Sequence, residues 1–355
     1  REYAPDVPIA AVIDDTEAQD ILELSGANHA FPLKHQLGEQ LAAHAGAGVE
    51  RAHRIGHIDE LVIAEFSVRR TELAGRAIRD SGLREATGLN VVAIRHHGQF
   101  QPARPDHVLS PDDMVVVVGA EEELKRLDEV FVVPEPTHAP ILLIGGGRVG
   151  LAAARKLVDQ GLEVHVVEQD DELEPGIAEV ADQVVIGNAA ALDVMREAGI
   201  ENAHSVLLTT HDDATNIFLT IYARRLNPTC HIVSRVTHER NLEAMHRAGA
   251  NFVLSEAALG AKLMMSVLQG RELMVIDEKV EVFVRPLPPL LADLSLADSR
   301  IGSLTGLVVI GIQRDGVTHG TPGATEPIEA GSSLVLLGAR TQLQQFLRRF
   351  ERRTS

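Results

Sequence analysis

Short apolar runs alternate with longer amphipathic stretches between residues 140 and 255. The runs Pro140–Ile144, Glu163–Val167 and Gln183–Ile186 are rich in branched side chains, which is typical of strands buried in a parallel sheet. From Arg148 to Gln160 apolar residues recur at helical spacing, so a helix connects the first strand to the second. The alternation predicts a six-stranded parallel sheet with helices between its strands. The other predicted strands are Ser205–Thr210, Cys230–Val236 and Phe252–Leu254.

A glycine loop joins the first predicted strand to the first helix. Gly145, Gly147 and Gly150 have the spacing G-x-G-x-x-G, which permits a tight turn, close approach of a pyrophosphate, and packing of the helix on the strand. Glu168 ends the second strand about 20 residues later, where an acid accepts hydrogen bonds from ribose hydroxyls and repels a 2′-phosphate. This context predicts a site for NAD or an adenosine nucleotide rather than NADP. A glycine-rich turn beside a solvated Glu is the alternative.

Composition narrows the classes of partner. The chain of 355 residues carries 51 acidic and 33 basic side chains, a formal charge of -18, which disfavours nucleic acid and anionic membrane surfaces. Its single cysteine, Cys230, has no intramolecular disulfide partner and is predicted to be a small buried hydrophobe, as expected in a reducing compartment. No apolar run approaches the ~18 residues that cross a bilayer, so we expect this chain to work in water.

The chain contains an internal repeat. Gly26-Ala-Asn28 corresponds to Gly249-Ala-Asn251, and Thr87-Gly-Leu89 corresponds to Thr305-Gly-Leu307, at a period of about 220 residues. One period before the glycine loop lies upstream of residue 1, so the first copy lacks its opening half. We therefore expect another stretch of polypeptide to complete that copy.

Each copy ends in a smaller region whose short strands alternate too irregularly for a second parallel sheet, which favours an α+β lobe. The predicted fold is α/β: a Rossmann-like parallel-sheet lobe plus a smaller α+β lobe, repeated in tandem with the first Rossmann lobe incomplete. The predicted domains are residues 1–48, the end of the first Rossmann lobe; 49–132, the first small lobe; 133–139, a proline-rich linker; 140–270, the second, nucleotide-binding Rossmann lobe; and 271–355, the second small lobe.

Five motifs and Glu168 carry a family resemblance. The motifs are Gly145–Gly150, Gly187–Ala189, Thr210–Asn216, Ser234–Val236 and Ala248–Ser255. Together they resemble the regulator-of-potassium-conductance (RCK) domain, a TrkA-N lobe followed by a TrkA-C lobe. The resemblance covers the second copy fully and the first copy as its tail. It is greatest to the cytoplasmic part of bacterial potassium channels that carry two such domains.

The resemblance implies a non-catalytic gating module at the cytoplasmic face of the cell membrane. Its implied partners are other copies of the same chain, in an octameric ring of domains from a tetramer, and a potassium-channel pore upstream in the same polypeptide, with no nucleic acid. NAD or NADH is the favoured cofactor. ADP or ATP stays open, as does a divalent cation that the sequence does not place.

The glycine loop and the resemblance together predict a set of ligand-binding residues. Two readings stay open for Asp212 and Asn216, which either line the cleft or cap the following helix. The family usually has Asp at the position of Asn188. Val12 stands in the first copy where Arg235 stands in the second, which indicates a degenerate first site. The predicted residues are Gly145, Gly147, Arg148, Val149, Gly150, Glu168, Gln169, Asn188, Ala189, Thr210, Asp212, Asn216 and Arg235.

Two further functions compete with a channel-gating module. A peripheral Trk-type regulatory subunit of a potassium uptake transporter would share the repeat. An NAD-dependent oxidoreductase is more distant, because the second small lobe lacks a recognisable arrangement of proton donors. His53 and His57 have the spacing of a helical metal pair, but Gly56 between them weakens that interpretation.

Overall fold

The computed structural model of the chain describes residues 7–14, 17–46, 52–96, 99–131, 139–269, 274–277, 280–320 and 325–351. Most of the predicted linker, residues 133–138, lies outside these ranges. The chain divides into two compact units, residues 1–49 with 135–273 and residues 50–134 with 274–355. Each unit therefore combines residues from both copies of the repeat. The domain boundaries given above stay a prediction.

The elements of the first copy run to residue 130. They are β1 (Ala10–Ile13), α1 (Glu17–Leu24), β2 (His29–Pro32), α2 (Leu33–Gly46), β3 (His53–Ile58), β4 (Leu61–Ser67), α3 (Leu83–Thr87), β5 (Asn90–His96), β6 (Gln99–Pro102), β7 (Asp113–Gly119) and α4 (Glu121–Val130).

The elements of the second copy begin with the strand before the glycine loop. They are β8 (Ile141–Ile144), α5 (Arg148–Asp159), β9 (Val164–Glu168), α6 (Glu174–Ala178), β10 (Gln183–Ile186), α7 (Leu192–Glu197), β11 (Ser205–Leu208), α8 (Asp213–Leu226), β12 (His231–Val236), α9 (Leu242–Ala248), β13 (Phe252–Ser255), α10 (Glu256–Gln269), β14 (Glu281–Pro286), α11 (Leu296–Ser299), α12 (Ile301–Thr305), β15 (Val308–Arg314), β16 (Val317–Gly320), β17 (Ser333–Gly338) and α13 (Arg340–Phe350).

The first unit is built on a six-stranded parallel sheet in the order β10-β9-β8-β11-β12-β13. The predicted parallel sheet is therefore confirmed. Ile144 at the end of β8 pairs with Val167 on one side and with Leu208 on the other, so the strand order reverses on either side of β8. Ligands of doubly wound sheets bind in the crevice at such a reversal, outside the carboxyl ends of the strands.

Helix α2 of the first copy is part of the core of this unit. Its side chains Leu37, Leu41, Ala42 and Ala45 are fully buried, and it packs closely along α5. Gly38 makes this approach feasible, because a Cβ built there would lie 2.4 Å from the Val149 carbonyl oxygen. Helix α2 of the first copy thus buries its apolar side chains against α5 of the second copy, a contact that the sequence did not predict.

The rest of the first copy's Rossmann region is more exposed. β1 and β2 form a two-stranded parallel sheet, and α1 lies against it. Ile21 is 65% exposed and Leu24 is 89% exposed. Apolar side chains of α1 are therefore exposed to water beside this sheet.

The second unit contains two antiparallel sheets, ordered β3-β4-β7-β5-β6 and β14-β17-β15-β16. These confirm the predicted α+β character of the small lobes. One apolar cluster joins the two sheets, with Ile63 and Val116 from the first copy and Ile310 and Val335 from the second. The two small lobes therefore share a core.

The repeat is visible in local structure. Thr87 and Thr305 each donate a side-chain hydrogen bond of 2.7 Å to the carbonyl oxygen four residues before. The next residues, Gly88 and Gly306, have φ of 91° and 76° and cap their helices in the left-handed conformation. The same Thr-Gly pair thus ends the corresponding helix in each copy.

The described residues contain neither a candidate membrane-spanning helix nor a candidate metal-binding cluster. No helix among them combines the length and apolar character needed to cross a bilayer. Within the same ranges, no group of three or more His, Cys, Asp or Glu side chains is placed to hold a metal ion. His53 and His57 lie on strand β3, so the helical spacing that suggested a metal pair does not apply to them.

We expect Gly38→Ala to lower the free energy of unfolding by about 1–3 kcal/mol, because the added methyl group overpacks the crossing of α2 and α5. Besides the Val149 carbonyl, it would meet the Ala152 Cβ at 2.7 Å. Gly176→Ala in α6 is the matched control, since a Cβ there meets open space. Chemical denaturation of the three chains measures the difference; equal losses in both variants would contradict the close crossing.

We expect Cys230 to react slowly with a thiol reagent while the chain is folded. The residue is 2% exposed, which confirms that it is a buried hydrophobe, and burial raises the pKa of its thiol to about 11. At pH 8 the scarcity of thiolate alone slows the reaction by roughly a hundredfold relative to an unfolded chain. The rate of labelling, followed with and without denaturant, checks this; equal rates would contradict burial.

Candidate functional site

The glycine loop has the geometry that its three glycines predict. Gly145 has φ of 104°, in the left-handed region, and Thr209 donates through its hydroxyl to the Gly145 carbonyl at 2.6 Å. A Cβ at Gly150 would lie 1.9 Å from that same carbonyl oxygen. A Cβ at Gly147, the N-cap of α5, meets open space. Gly145 and Gly150 are thus required by the loop itself, whereas Gly147 leaves room beside the helix N-terminus.

A cavity of about 920 Å³ opens at this loop, at the carboxyl ends of the parallel strands. Its size is typical of a small-molecule site. The N-terminus of α5 contributes to its wall, where the backbone N–H groups of the first turn and the helix dipole favour an anion. Predicted residues in the lining are Gly145, Gly147, Arg148, Val149, Glu168, Gln169, Asn188, Ala189, Thr210, Asp212 and Arg235.

Two predicted residues, Gly150 and Asn216, do not line the cavity. Gly150 is behind the loop, where it serves the close packing of α5. Asn216 is fully buried; its Nδ2 donates to the Thr210 carbonyl at 2.8 Å, and its Oδ1 accepts from the Thr210 hydroxyl at 2.7 Å. Its amide therefore holds the cavity wall in shape instead of contacting a ligand.

Glu168 is fixed to the glycine loop. One carboxylate oxygen accepts from the Gly146 N–H at 2.5 Å, and the other accepts from the N–H groups of Gln169 and Asp170 at 2.7 and 3.0 Å. A carboxylate has about four acceptor positions, so these three bonds leave capacity for a ribose hydroxyl. These bonds thus fix the position of the Glu168 carboxylate, which is predicted to bind the ribose, relative to the glycine loop.

Arg235 is a largely buried arginine in the lining of the cavity. The residue is only 6% exposed, and its Nη2 donates to Glu256 at 2.7 Å. Its Nε is buried without a hydrogen-bond acceptor in the part of the chain that the structure describes. Leaving a buried donor unpaired costs roughly 1–3 kcal/mol. Arg235 and the N-terminus of α5 belong to the same cavity wall, so the residues present fit a phosphate group.

Asp212 and Asn188 each make a local bond within the wall. Asp212 caps α8 by accepting from the Thr215 N–H at 2.7 Å, and the Thr215 hydroxyl is the main cause of a lowered Asp212 pKa. Both predicted roles of Asp212 therefore apply, since it caps the helix and lines the cavity. Asn188 accepts from the Ala190 N–H at 2.9 Å, which leaves contact with an adenine edge a prediction.

Lys34 also lines the cavity, and the sequence reasoning missed it. The residue belongs to α2 of the first copy, more than 100 residues before the glycine loop. The sequence alone does not place Lys34 in the lining, because its position there depends on the packing of α2 on α5. His211 and Phe218 in the lining were likewise not predicted.

Comparison with known proteins decides the family. The TrkA-N domain family matches residues 141–256, and the TrkA-C domain family matches residues 63–132. The crystal structure of the GsuK RCK domain is 32% identical, with a TM-score of 0.60; the match covers 96% of this chain and 74% of that one. The chain belongs to the RCK domain family.

Other relatives are named as a channel and as a potassium uptake protein. The GsuK channel bound to NAD is 31% identical, with a TM-score of 0.59, and the match covers 96% of this chain and 62% of that one. Trk system potassium uptake protein trkA homolog 1 of Methanosarcina mazei is 26% identical over 226 residues, 60% of this chain and 55% of that protein.

The RCK chain spans only part of several relatives. It covers 66% of potassium channel protein 1 of Methanocaldococcus jannaschii, at 24% identity over 229 residues and 59% of this chain. It covers 19% and 63% of two further curated relatives.

We expect Asp213→Asn to destabilise the fold at the start of α8, next to Asp212 of the cavity lining. Burial opposes ionisation of Asp213, but bonds from the N–H groups of Thr237 and His238 and from the Asn241 amide outweigh it and lower its pKa. A lowered pKa stabilises the fold above the ordinary Asp value of about 3.9, and this contribution is lost as pH falls through the folded-state value. The variant should lose about 1–2 kcal/mol at neutral pH.

Denaturation at pH 7 and near pH 3 measures this effect of Asp213→Asn. The deficit should shrink at the lower pH, where the wild-type carboxylate is also losing its charge. Asp159→Asn, at the exposed end of α5, is the matched control and should change stability little. A deficit that stays constant between the two pH values would contradict the role of the ionised carboxylate.

Proposed function

We propose that this chain is a ligand-sensing gating module of a potassium channel, in which the cavity of the second copy binds NAD(H) or an adenine nucleotide. The observation that carries the proposal is the cavity at the glycine loop, whose wall combines the N-terminus of α5 with Glu168 and Arg235. Support also comes from the GsuK channel bound to NAD, a 31% identical structure.

Each group of the nucleotide has a counterpart in the wall. The N-terminus of α5, with Gly147 and Arg148, would hold the diphosphate. Glu168 would accept hydrogen bonds from the ribose hydroxyls and would repel a 2′-phosphate, which favours NAD over NADP. Arg235 would add a positive charge to the wall near the phosphates. Asn188 and Ala189 follow the third strand of the sheet, beside the space left for the adenine.

Binding at this site would be used for regulation. The cavity wall collects loops from β8, β9, β10, β11 and β12, so one ligand would contact segments that are far apart in the chain. A ligand shifts a conformational equilibrium by its difference in affinity for the two states. In this proposal that difference is transmitted through a ring of RCK domains, at the cytoplasmic face of the membrane, to a potassium pore upstream in the same polypeptide.

A peripheral Trk-type regulatory subunit is the second candidate, because a trkA homolog matches 60% of this chain. The two candidates share the nucleotide site and differ in the pore. A reading frame that encodes two hydrophobic segments before this chain would favour the channel. A frame without them would favour the separate subunit.

We expect isothermal titration of the chain with NAD, NADH, ADP and ATP to show binding, with NADP at least about tenfold weaker. Gly147→Asp should lower affinity at least about tenfold, because its carboxylate would face the diphosphate while meeting open space in the free chain. Arg235→Gln should lower affinity about tenfold or more through the lost charged hydrogen bond. The nicotinamide absorbance should stay constant, as for a sensor without turnover.

Two matched variants control this titration. Gly176→Asp adds a carboxylate at another glycine with open space around it, and Arg155→Gln removes a charge from the exposed side of α5. Neither position lines the cavity, so both variants should bind like the wild type. Absence of binding to every nucleotide would overturn the proposal, as would equal affinity in Gly147→Asp and the wild type.

A further inference from the structure

A lysine from the first copy takes part in the wall of the second copy's cavity. Lys34 is the second residue of α2, its side chain is 30% exposed, and its ammonium lies 3.5 Å from an Asp14 carboxylate that is 72% exposed. An ion pair with so exposed a partner contributes little and exchanges readily with water. The ammonium is therefore available to a stronger anionic partner in the cavity.

The position of Lys34 is set by the packing of α2. Gly38, one turn later and on the same face of the helix, sits against Val149 in the first turn of α5. At the start of the helix, the Leu33 side chain lies 3.5 Å from the place of a Cβ on Gly260 in α10. These contacts at both ends of the first turn hold Lys34 between the starts of α5 and α10.

The charges around Lys34 leave room for an anion. Arg235 lines the same cavity and pairs with Glu256 at the start of α10. The acids of the lining accept hydrogen bonds within the chain: Glu168 from three backbone N–H groups, Asp170 from the Glu172 N–H, and Asp212 from Thr215. Lys34, Arg148 and Arg235 are the Lys and Arg residues of this lining, beside the anion-binding end of α5.

The internal repeat shows that this lysine is particular to the first copy. With Gly26-Ala-Asn28 aligned to Gly249-Ala-Asn251, Lys34 corresponds to Ala257, and each is the second residue of its helix, α2 or α10. Only the first copy thus has a cation at this helix position.

We propose that Lys34 binds phosphate oxygens of the nucleotide, opposite Arg235, so that the ligand links α2 of the first copy to the glycine loop of the second. This inference rests on the proposed nucleotide binding and adds a residue from a different segment of the chain. Each phosphate oxygen bound by both segments favours the docked position of α2. Ligand binding in the second copy therefore affects the position of α2, a helix that belongs to the first copy.

The experiment compares Lys34→Gln, Lys34→Arg and the wild-type chain in titrations with ADP, NAD and adenosine. Lys34→Gln should weaken ADP and NAD about tenfold, because a charged hydrogen bond is lost, and Lys34→Arg should restore most of the affinity. Adenosine, which has no phosphate, should bind all three chains alike. Lys156→Gln in α5 removes the same charge outside the cavity and should leave every affinity unchanged.

Hydrogen exchange over residues 33–46 separates a ligand contact from a structural role. ADP should slow exchange in α2 of the wild type and should slow it much less in Lys34→Gln, while the two unliganded chains exchange and melt alike. Equal ADP affinity in wild type and Lys34→Gln would overturn this inference and leave the proposed function standing. Failure of the wild type to bind ADP and NAD would instead overturn both.

Discussion

The close crossing of α2 over α5 is the contact on which the candidate site depends. Without a side chain at Gly38, the backbone of α2 reaches the Val149 carbonyl in the first turn of α5. Because α5 starts at the glycine loop, this contact also decides where the N-terminal turn of α2 lies. Leu37 and Leu41 are buried in full beside it, so the crossing belongs to the core. The contact between Gly38 and Val149 thus contributes both to the stability of the core and to the shape of the cavity.

Much of the parallel sheet could be predicted because its strands are short, apolar and separated by helical periodicity. The predicted run Gln183–Ile186 coincides with β10, and Ser205–Thr210 exceeds β11 by two residues. Those two residues, Thr209 and Thr210, form cavity wall instead. The docking of α2 could not be predicted in this way, since periodicity shows that a helix has an apolar face but not which surface covers it.

The site divides along a similar line. Gly145, Gly147 and Glu168 follow from spacing, because backbone conformation and strand ends impose residue types on a nucleotide loop. The sequence predicts that Asn216 either lines the cleft or caps the following helix. In the structure its amide forms hydrogen bonds with Thr210. The buried Arg235 Nε has no acceptor among the described residues. A sequence motif cannot predict this, because it depends on which atoms surround the side chain in the fold.

The shared apolar cluster of the two small lobes has a consequence for the history of the chain. Ile63 and Val116 pack in the same interior as Ile310 and Val335, although the pairs descend from different copies of the repeat. Once duplicated sheets have fused their interiors, deleting either one would expose the apolar face of the other to water. Loss of one small lobe would therefore destabilise the other. The two lobes must be kept together even where the sequences of the two copies diverge.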